Sequence, residues 1–277
     1  MQNNLIDKQL VDTTMAQCGV SNLDDASIRD TVKIANLLEK ATGEKFIRME
    51  MGVPGLAPSR IGTEAEIEAL KHGVAQFYPM LEGYPVLSEE ASRFVKNFMD
   101  VDIRPEGIIP TVGAMQASYV AFMALTECHK GKDTILFIDP GFPVQKTQLE
   151  VIGKPYQTFD IYEYREEKLE AKLREYLDRG NIAGIVYSNP NNPSWVCLTD
   201  FELQVIGKLA TEYDTIILED LAYFAMDFRK DLSHPGKAPF QPTVAKYTDN
   251  YIFMISSSKL FSYAGQRLGL LCISDEI

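Results

Sequence analysis

From about residue 108 onward the chain takes on the rhythm of a repeated short apolar or β-branched run: TILFID, YQTFDI, AGIVYS, TIILED, YIFMIS and LGLLCIS. Most of these runs are separated by stretches with helical spacing. Glu166 to Leu177 and Asp200 to Tyr213 are two examples, and Gln116 to Thr126 is a third that precedes the first run. Runs that are apolar at every position are strands covered on both faces, and helical connections let successive strands run parallel. The pattern therefore predicts an α/β fold with a mostly parallel sheet flanked by helices. Ligands of such sheets bind beyond the carboxyl ends of the strands, so the residues just past each run are the candidates for chemistry.

Those residues form a series. AGIVYS is followed by Asn189-Pro190-Asn191-Asn192-Pro193-Ser194, TIIL by Glu219-Asp220-Leu221-Ala222-Tyr223, and YIFMI by Ser256-Ser257-Ser258-Lys259. Taken singly, the first is a turn, the second a turn former or helix cap, and the third a solvated lysine. Taken together, an amide, a carboxylate and an amine at three strand ends suit a cationic heteroaromatic ring that bears an aldehyde, a phenolic oxygen and a phosphate. The amine forms a Schiff base, the carboxylate keeps a ring nitrogen protonated, and the amide bonds the ring oxygen. Pyridoxal phosphate has those groups. A place for its dianion is offered by Gly113, Ala114 and Met115 at the start of a predicted helix, where free N–H groups and the helix dipole favour phosphate. Arg267, eight residues beyond Lys259, adds a fork-shaped cation, with the hydroxyls of Ser256 and Ser258 near in sequence.

Composition narrows the classes. The 277 residues are 45% apolar and 24% charged, with a net charge of −12 and no basic stripe of the kind that grips nucleic acid. No apolar run is long enough to span a bilayer, and the N-terminus lacks the layout of a secretory signal, which predicts a cytoplasmic protein without a membrane partner. The four cysteines and three histidines are scattered, so neither a disulfide framework nor a metal site is expected. Upstream, Asp25 to Lys40 reads as an amphipathic helix. FIRMEMG reads as a short strand entering the loop GVPGLAP, and Thr63 to Val74 and Ser88 to Phe98 read as helices.

At these residues the sequence resembles the class I and II aminotransferases, pyridoxal-phosphate enzymes of the aspartate aminotransferase fold type. SSSKLFSYAGQRLG is similar to the family's lysine signature, and EDLAYFAM to its Asp-x-x-Tyr element. The resemblance implies that Lys259 carries the cofactor as a Schiff base and shuttles the proton at the substrate Cα. It also implies that Asp220 pairs with the pyridinium nitrogen, and that Tyr223 and Asn192 bond the phenolic oxygen. Arg267 and Ser256 would hold the phosphate, Phe142 in DPGFPVQ would stack on the ring, and Gly52 in MEMGVPG would lie against the substrate carboxylate. Tyr78 in YPMLEGYP would reach the phosphate of a neighbouring subunit, which implies a homodimer with shared active sites. The fold implied is a seven-stranded large domain over residues 56–277, with residues 1–55 contributing to a smaller domain.

The sequence departs from the family's pattern in two places. Trp195 stands where the Asn-Pro-Ser/Thr-Gly element ends in glycine. The chain also stops at Ile277, where relatives continue into a C-terminal part of the small domain bearing the arginine for the substrate α-carboxylate. A shortened chain is expected, and that role has no residue here. The activity implied is ping-pong transfer of an amino group from an amino acid to a 2-oxo acid. The same residues suit a β-eliminating carbon–sulfur lyase, and a non-catalytic pyridoxal-phosphate-binding module is a third reading.

Overall fold

The computed structural model describes residues 6–52 and 54–277. The chain divides into two compact units, Met1–Pro54 and Gly55–Ile277.

In the first unit, helix α1 (Lys8–Gln17) starts at Asp7, whose side chain accepts from the Gln9 N–H. Helix α2 (Ile28–Thr42) opens with a capping box between Ser27 and Asp30 and ends at Gly43, which adopts a left-handed φ of 76°. Ile34 and Leu38, one turn apart, are its buried residues. The strand expected over FIRMEMG is not found. Residues 46–52 form no strand, and Ile47 and Met49 are 90% and 84% exposed. Alternation of apolar and polar residues fits a strand only where a second strand supplies the ladder. The segment is tied instead by side chains: the Phe46 N–H donates to Glu39 Oε1 (3.0 Å), and Arg48 Nη1 donates to Asn36 Oδ1 (2.7 Å).

The second unit begins with α3 (Arg60–Lys71) and α4 (Pro85–Met99). Strand β1 (Ile108–Val112) leads into α5 (Ala114–Cys128), then β2 (Thr134–Asp139), α6 (Pro143–Ile152) and β3 (Tyr156–Asp160). The remainder is α7 (Glu167–Leu177), β4 (Ile182–Ser188), α8 (Asp200–Glu212), β5 (Ile216–Leu221), β6 (Tyr251–Ser256), α9 (Ser257–Leu260) and β7 (Leu268–Ile273). The seven strands form one sheet in the order β1-β7-β6-β5-β4-β2-β3. All neighbours are parallel except at β7, which runs against both β1 and β6. The apolar runs thus mark strands correctly, but the run LGLLCI is the strand that opposes the others. The sequence reading missed β1 because Pro110 interrupts it. Proline removes a ladder donor and is tolerated at a sheet edge, which is where β1 lies.

Side-chain alternation splits the sheet's residues between two cores. Ile135 and Phe137 of β2, Val186 of β4, Ile216 and Leu218 of β5 and Met254 of β6 pack with Ala117, Ala121, Phe122 and Leu125 of α5. Leu136, Ile185, Ile217 and Phe253 pack on the other face with α4, α7 and α8 through residues such as Val95, Leu173 and Ile206. Each such buried side chain contributes about 1.5–3 kcal/mol relative to exposure. Asp220 shares the face of Ile216 and Leu218, and its register partner Ser188 on β4 lies beside it. Glu219 lies on the opposite face, in register with Tyr187.

Candidate active site

The carboxyl ends of β4, β5 and β6 and the N-terminus of α5 surround one cavity of about 220 Å³. Ala114, Met115, Phe142, Asn192, Asp220, Tyr223, Ser256, Ser258, Lys259 and Arg267 line it. Eleven of the thirteen residues singled out by sequence are thus in or beside the cavity, counting Gly113 as the residue that caps α5. The other two are not among its lining residues. Tyr78 is fully exposed, and Gly52 lies in the first unit.

Gly113 adopts φ 74° and ψ 170°, and so turns β1 directly into α5. The Gln116 N–H makes the first helical bond, to the Gly113 carbonyl (3.1 Å), so the N–H groups of Ala114 and Met115 precede the helix's own ladder and face an anion's position. The Arg267 guanidinium lies directly against Gly113, held by an Nη1 bond to the Ala264 carbonyl (2.7 Å). A cation and a helix N-terminus thus meet at one end of the cavity.

Lys259 is carried by α9, a single turn capped by Ser256, whose hydroxyl accepts from the Ser258 N–H (3.2 Å). Ser257 ties the same turn to β7 through the Leu268 carbonyl (2.8 Å). Lys259 Nζ stands 5.9 Å from the Tyr223 ring centroid. Burial lowers the Lys259 pKa, and the positive charge of Arg267 lowers it further. Both effects favour the neutral amine that attacks a carbonyl carbon.

Asp220 is buried at the end of β5. Its Oδ1 accepts from the Ala222 N–H (3.0 Å) and its Oδ2 from Gln145 Nε2 (2.8 Å). Burial pushes the carboxyl up to about 6 against the pull of these two donors. Tyr223, half-buried, has its phenol pKa raised by burial and by the neighbouring Asp220 charge. In the Asn-Pro loop, Asn191 is structural: its Nδ2 donates to the Pro140 carbonyl (2.6 Å) and its Oδ1 accepts from Ser194 Oγ (2.7 Å). That leaves Asn192 as the amide on the cavity, with its N–H donating to Ser188 Oγ (3.2 Å). Phe142 is the N-cap of α6 and presents a ring to the cavity from the opposite element.

Gln145, Ser188 and Ser118 also line the cavity and were missed from sequence. Gln145 had a legible signal: it sits three residues after Phe142 at the start of a helix, so both project from one face. Ser188 had none, since a serine ending a strand is common.

Pyridoxal phosphate fits this set. The pocket offers a dianion position at Arg267 and α5, where a Cβ on Gly113 would intrude, and a buried carboxylate contacted by neutral donors. A half-buried amine with lowered pKa and an aromatic face complete it.

The family model for aminotransferase class I and II matches residues 44–277. The chain is 30% identical over 249 residues to an aspartate aminotransferase of Pyrococcus horikoshii, covering 88% of this chain and 60% of that protein. It is 24% identical to an asparagine–oxo-acid transaminase of Streptococcus mutans, covering 86% of this chain and 59% of that one. The solved alanine aminotransferase of Pyrococcus furiosus superposes with a TM-score of 0.75 at 27% identity, over 90% of this chain and 61% of the other. The chain spans about three fifths of the length of these relatives. With the family model matching most of its residues, the chain belongs to the class I and II aminotransferases.

Proposed function

We propose that this protein moves an amino group from an amino acid to a 2-oxo acid, using pyridoxal phosphate, the cofactor on which its family depends. One observation carries the reading: Lys259, Asp220, Arg267 and the α5 N-terminus, from four separate segments, converge on a single cavity of about 220 Å³. When bound there, the cofactor supplies an electrophilic carbon for amino groups and a sink for charge developing at the substrate α-carbon.

The chain's own residues do the rest. Arg267, Ser256 and the α5 N–H groups hold the phosphate. Phe142 covers one face of the ring, and Asn192 and Tyr223 hold the phenolic oxygen in register. Asp220 keeps a proton on the ring nitrogen. Lys259 Nζ would anchor the cofactor's aldehyde carbon and, once displaced by an incoming amino group, would serve as the general base that takes the substrate α-proton and the general acid that returns it. In the second half of the cycle, after the first 2-oxo acid has left, a different 2-oxo acid would take up the amino group with the same residue roles in reverse.

Relatives named for aspartate, asparagine and alanine transamination support amino transfer over β-elimination. The lowered Lys259 pKa favours the neutral amine that forms a Schiff base with the cofactor. The same proposal gives Gly52 the substrate carboxylate, assigns residues 1–55 to a smaller domain, and places the protein in the cytoplasm. It also includes a homodimer in which Tyr78 serves the neighbouring copy. Support for the dimer comes from exposed apolar side chains around Tyr78, among them Phe77, Met80 and Leu81. Among the described residues, no helix is long and apolar enough to cross a membrane.

The test is the absorbance spectrum with added pyridoxal phosphate, followed by borohydride reduction and peptide mapping. A visible band trapped on the Lys259 peptide and absent from Lys259→Ala, with amino transfer to a 2-oxo acid, is expected. No band in the wild type overturns the reading. Release of pyruvate and ammonia from a cysteine-type substrate without an acceptor favours the lyase.

A further inference from the structure

The carboxylate of Asp220 is held by two neutral donors, the Ala222 N–H on Oδ1 and Gln145 Nε2 on Oδ2. The Ala222 bond is local, two residues along the same chain. The Gln145 bond joins β5 to α6 across the cavity, and Gln145 is only 5% exposed. Helix α6 is itself locked one turn further on: Gln148 Oε1 accepts from Ser118 Oγ (2.7 Å), and its Nε2 donates to the Met115 carbonyl (2.8 Å). The helix that presents Gln145 to the carboxylate is therefore pinned to the first turn of α5, at the phosphate end of the cavity.

A carboxylate that must hold a proton on a ring nitrogen has to be ionised, and it has to point one oxygen at that nitrogen. A charged partner such as arginine would fix its direction but compete for its charge. A primary amide fixes direction and stabilises the anion through a hydrogen bond while remaining neutral. The charged and titratable groups around the cavity are Lys259 on α9, Arg267 ahead of β7 and Tyr223 after β5. The polar side chains facing it from α5, β4 and β6 are the uncharged Ser118, Ser188 and Ser256.

We propose that Gln145 is the positioning residue of this site, the group that keeps Asp220 ionised and aimed at the ring nitrogen. The inference deepens the proposed function and rests on Asp220 being the ring nitrogen's partner.

The experiment titrates Asp220 directly in the cofactor-free protein, by carbon-13 NMR of carboxyl-labelled aspartate with the signal assigned through Asp220→Asn. Gln145→Leu removes the donor and should move the Asp220 midpoint upward by roughly one pH unit. Gln145→Glu, of equal size, places a second carboxyl at the same spot and should move it further. Gln145→Met provides a second uncharged variant should Leu fold poorly. In protein loaded with pyridoxal phosphate, the pH at which the visible band changes should shift in Gln145→Leu. Midpoints unmoved in the folded variants, with only a lower melting temperature, would reduce Gln145 to a packing role and overturn the proposal. A wild-type chain that takes up no pyridoxal phosphate would overturn the functional reading instead, because the carboxyl titration is read without the cofactor.

Discussion

The guanidinium of Arg267 lies where a side chain on Gly113 would begin: a Cβ built on Gly113 would meet Arg267 Cζ at 3.0 Å. Gly113 also has φ 74°, a conformation that glycine adopts freely and other residues do not. The two residues, far apart in sequence, thus define one end of the cavity together. Gly113→Ala should strain the backbone by about 1–2 kcal/mol and displace the guanidinium. Losing that charge-assisted contact should weaken cofactor binding at least about tenfold. A fluorescence titration with pyridoxal phosphate, read beside the melting temperature, separates the two effects: a variant that melts lower but binds equally well would show that Arg267 has no part in phosphate binding.

Gly269 makes the same corner from the strand side. A Cβ there would lie 2.7 Å from the Gly113 carbonyl carbon and 2.9 Å from the Ala114 nitrogen, both backbone atoms that cannot swing aside. Gly269→Ala should therefore push β7 away from the α5 N-terminus, costing about 1–3 kcal/mol as overpacking does. Chemical denaturation measures it, and a cost near zero would mean that the strand and helix part without loss.

The cavity's main residues were legible because each follows an apolar run, and strand ends are where an α/β sheet gathers its chemistry. Lys259, Asp220 and Asn192 could be read that way, and Arg267 by its spacing from Lys259. Gln145's place beside Phe142 could be read from helical spacing, but its bond to Asp220 could not, since the two are 75 residues apart and no local pattern announces a hydrogen bond of that range. The direction of β7 was equally hidden: the link from β6 passes through only α9 and a short turn, too little for the usual helical crossover, but its apolar run looks like those of the parallel strands. The strand expected over FIRMEMG failed for the converse reason, a local pattern with no neighbouring strand to complete it.

Asp220 makes the cofactor-free protein sensitive to pH. Its carboxyl titrates at about 6 when folded, against an ordinary value of 3.8, because burial disfavours the charge. Between those values the folded chain binds more protons than the unfolded chain, so stability falls as pH rises from about 4 to 6. The stability at stake is about 3 kcal/mol by linkage. Asp220→Asn should thus stabilise the cofactor-free protein at pH 8 and leave it nearly unchanged below pH 4, while abolishing most of the proposed amino-transfer activity. Denaturant midpoints at the two pH values check the sign. Glu219, pushed up to about 7 by burial on the opposite face of β5, leaves a similar dependence in the variant.

Trp195 occupies a left-handed backbone conformation, φ 59°, three residues beyond Asn192. A bulky side chain there costs about 1 kcal/mol or more, and a glycine costs none of it. Two ring contacts compensate: an edge-on approach to Tyr223 at 5.6 Å and a stack on Phe228 at 6.0 Å. Each such pair is worth about 0.5–1.5 kcal/mol, less here because Trp195 and Phe228 are 42% and 81% exposed. Trp195→Gly therefore exchanges one effect for the other and should change stability by less than about 1 kcal/mol. Trp195→Ala loses the ring contacts and keeps the strain, so it should be the less stable of the two by about 1 kcal/mol, the reverse of the usual order in which alanine exceeds glycine. Both variants free the Tyr223 ring, which lines the cavity, so the Michaelis constant should shift more than the turnover rate. Paired denaturation curves decide the matter: alanine more stable than glycine at this position would mean that the loop relaxes out of the left-handed region once the indole is gone, and that ring contacts, not the Asn191 carbonyl bond to the Trp195 N–H, hold it there.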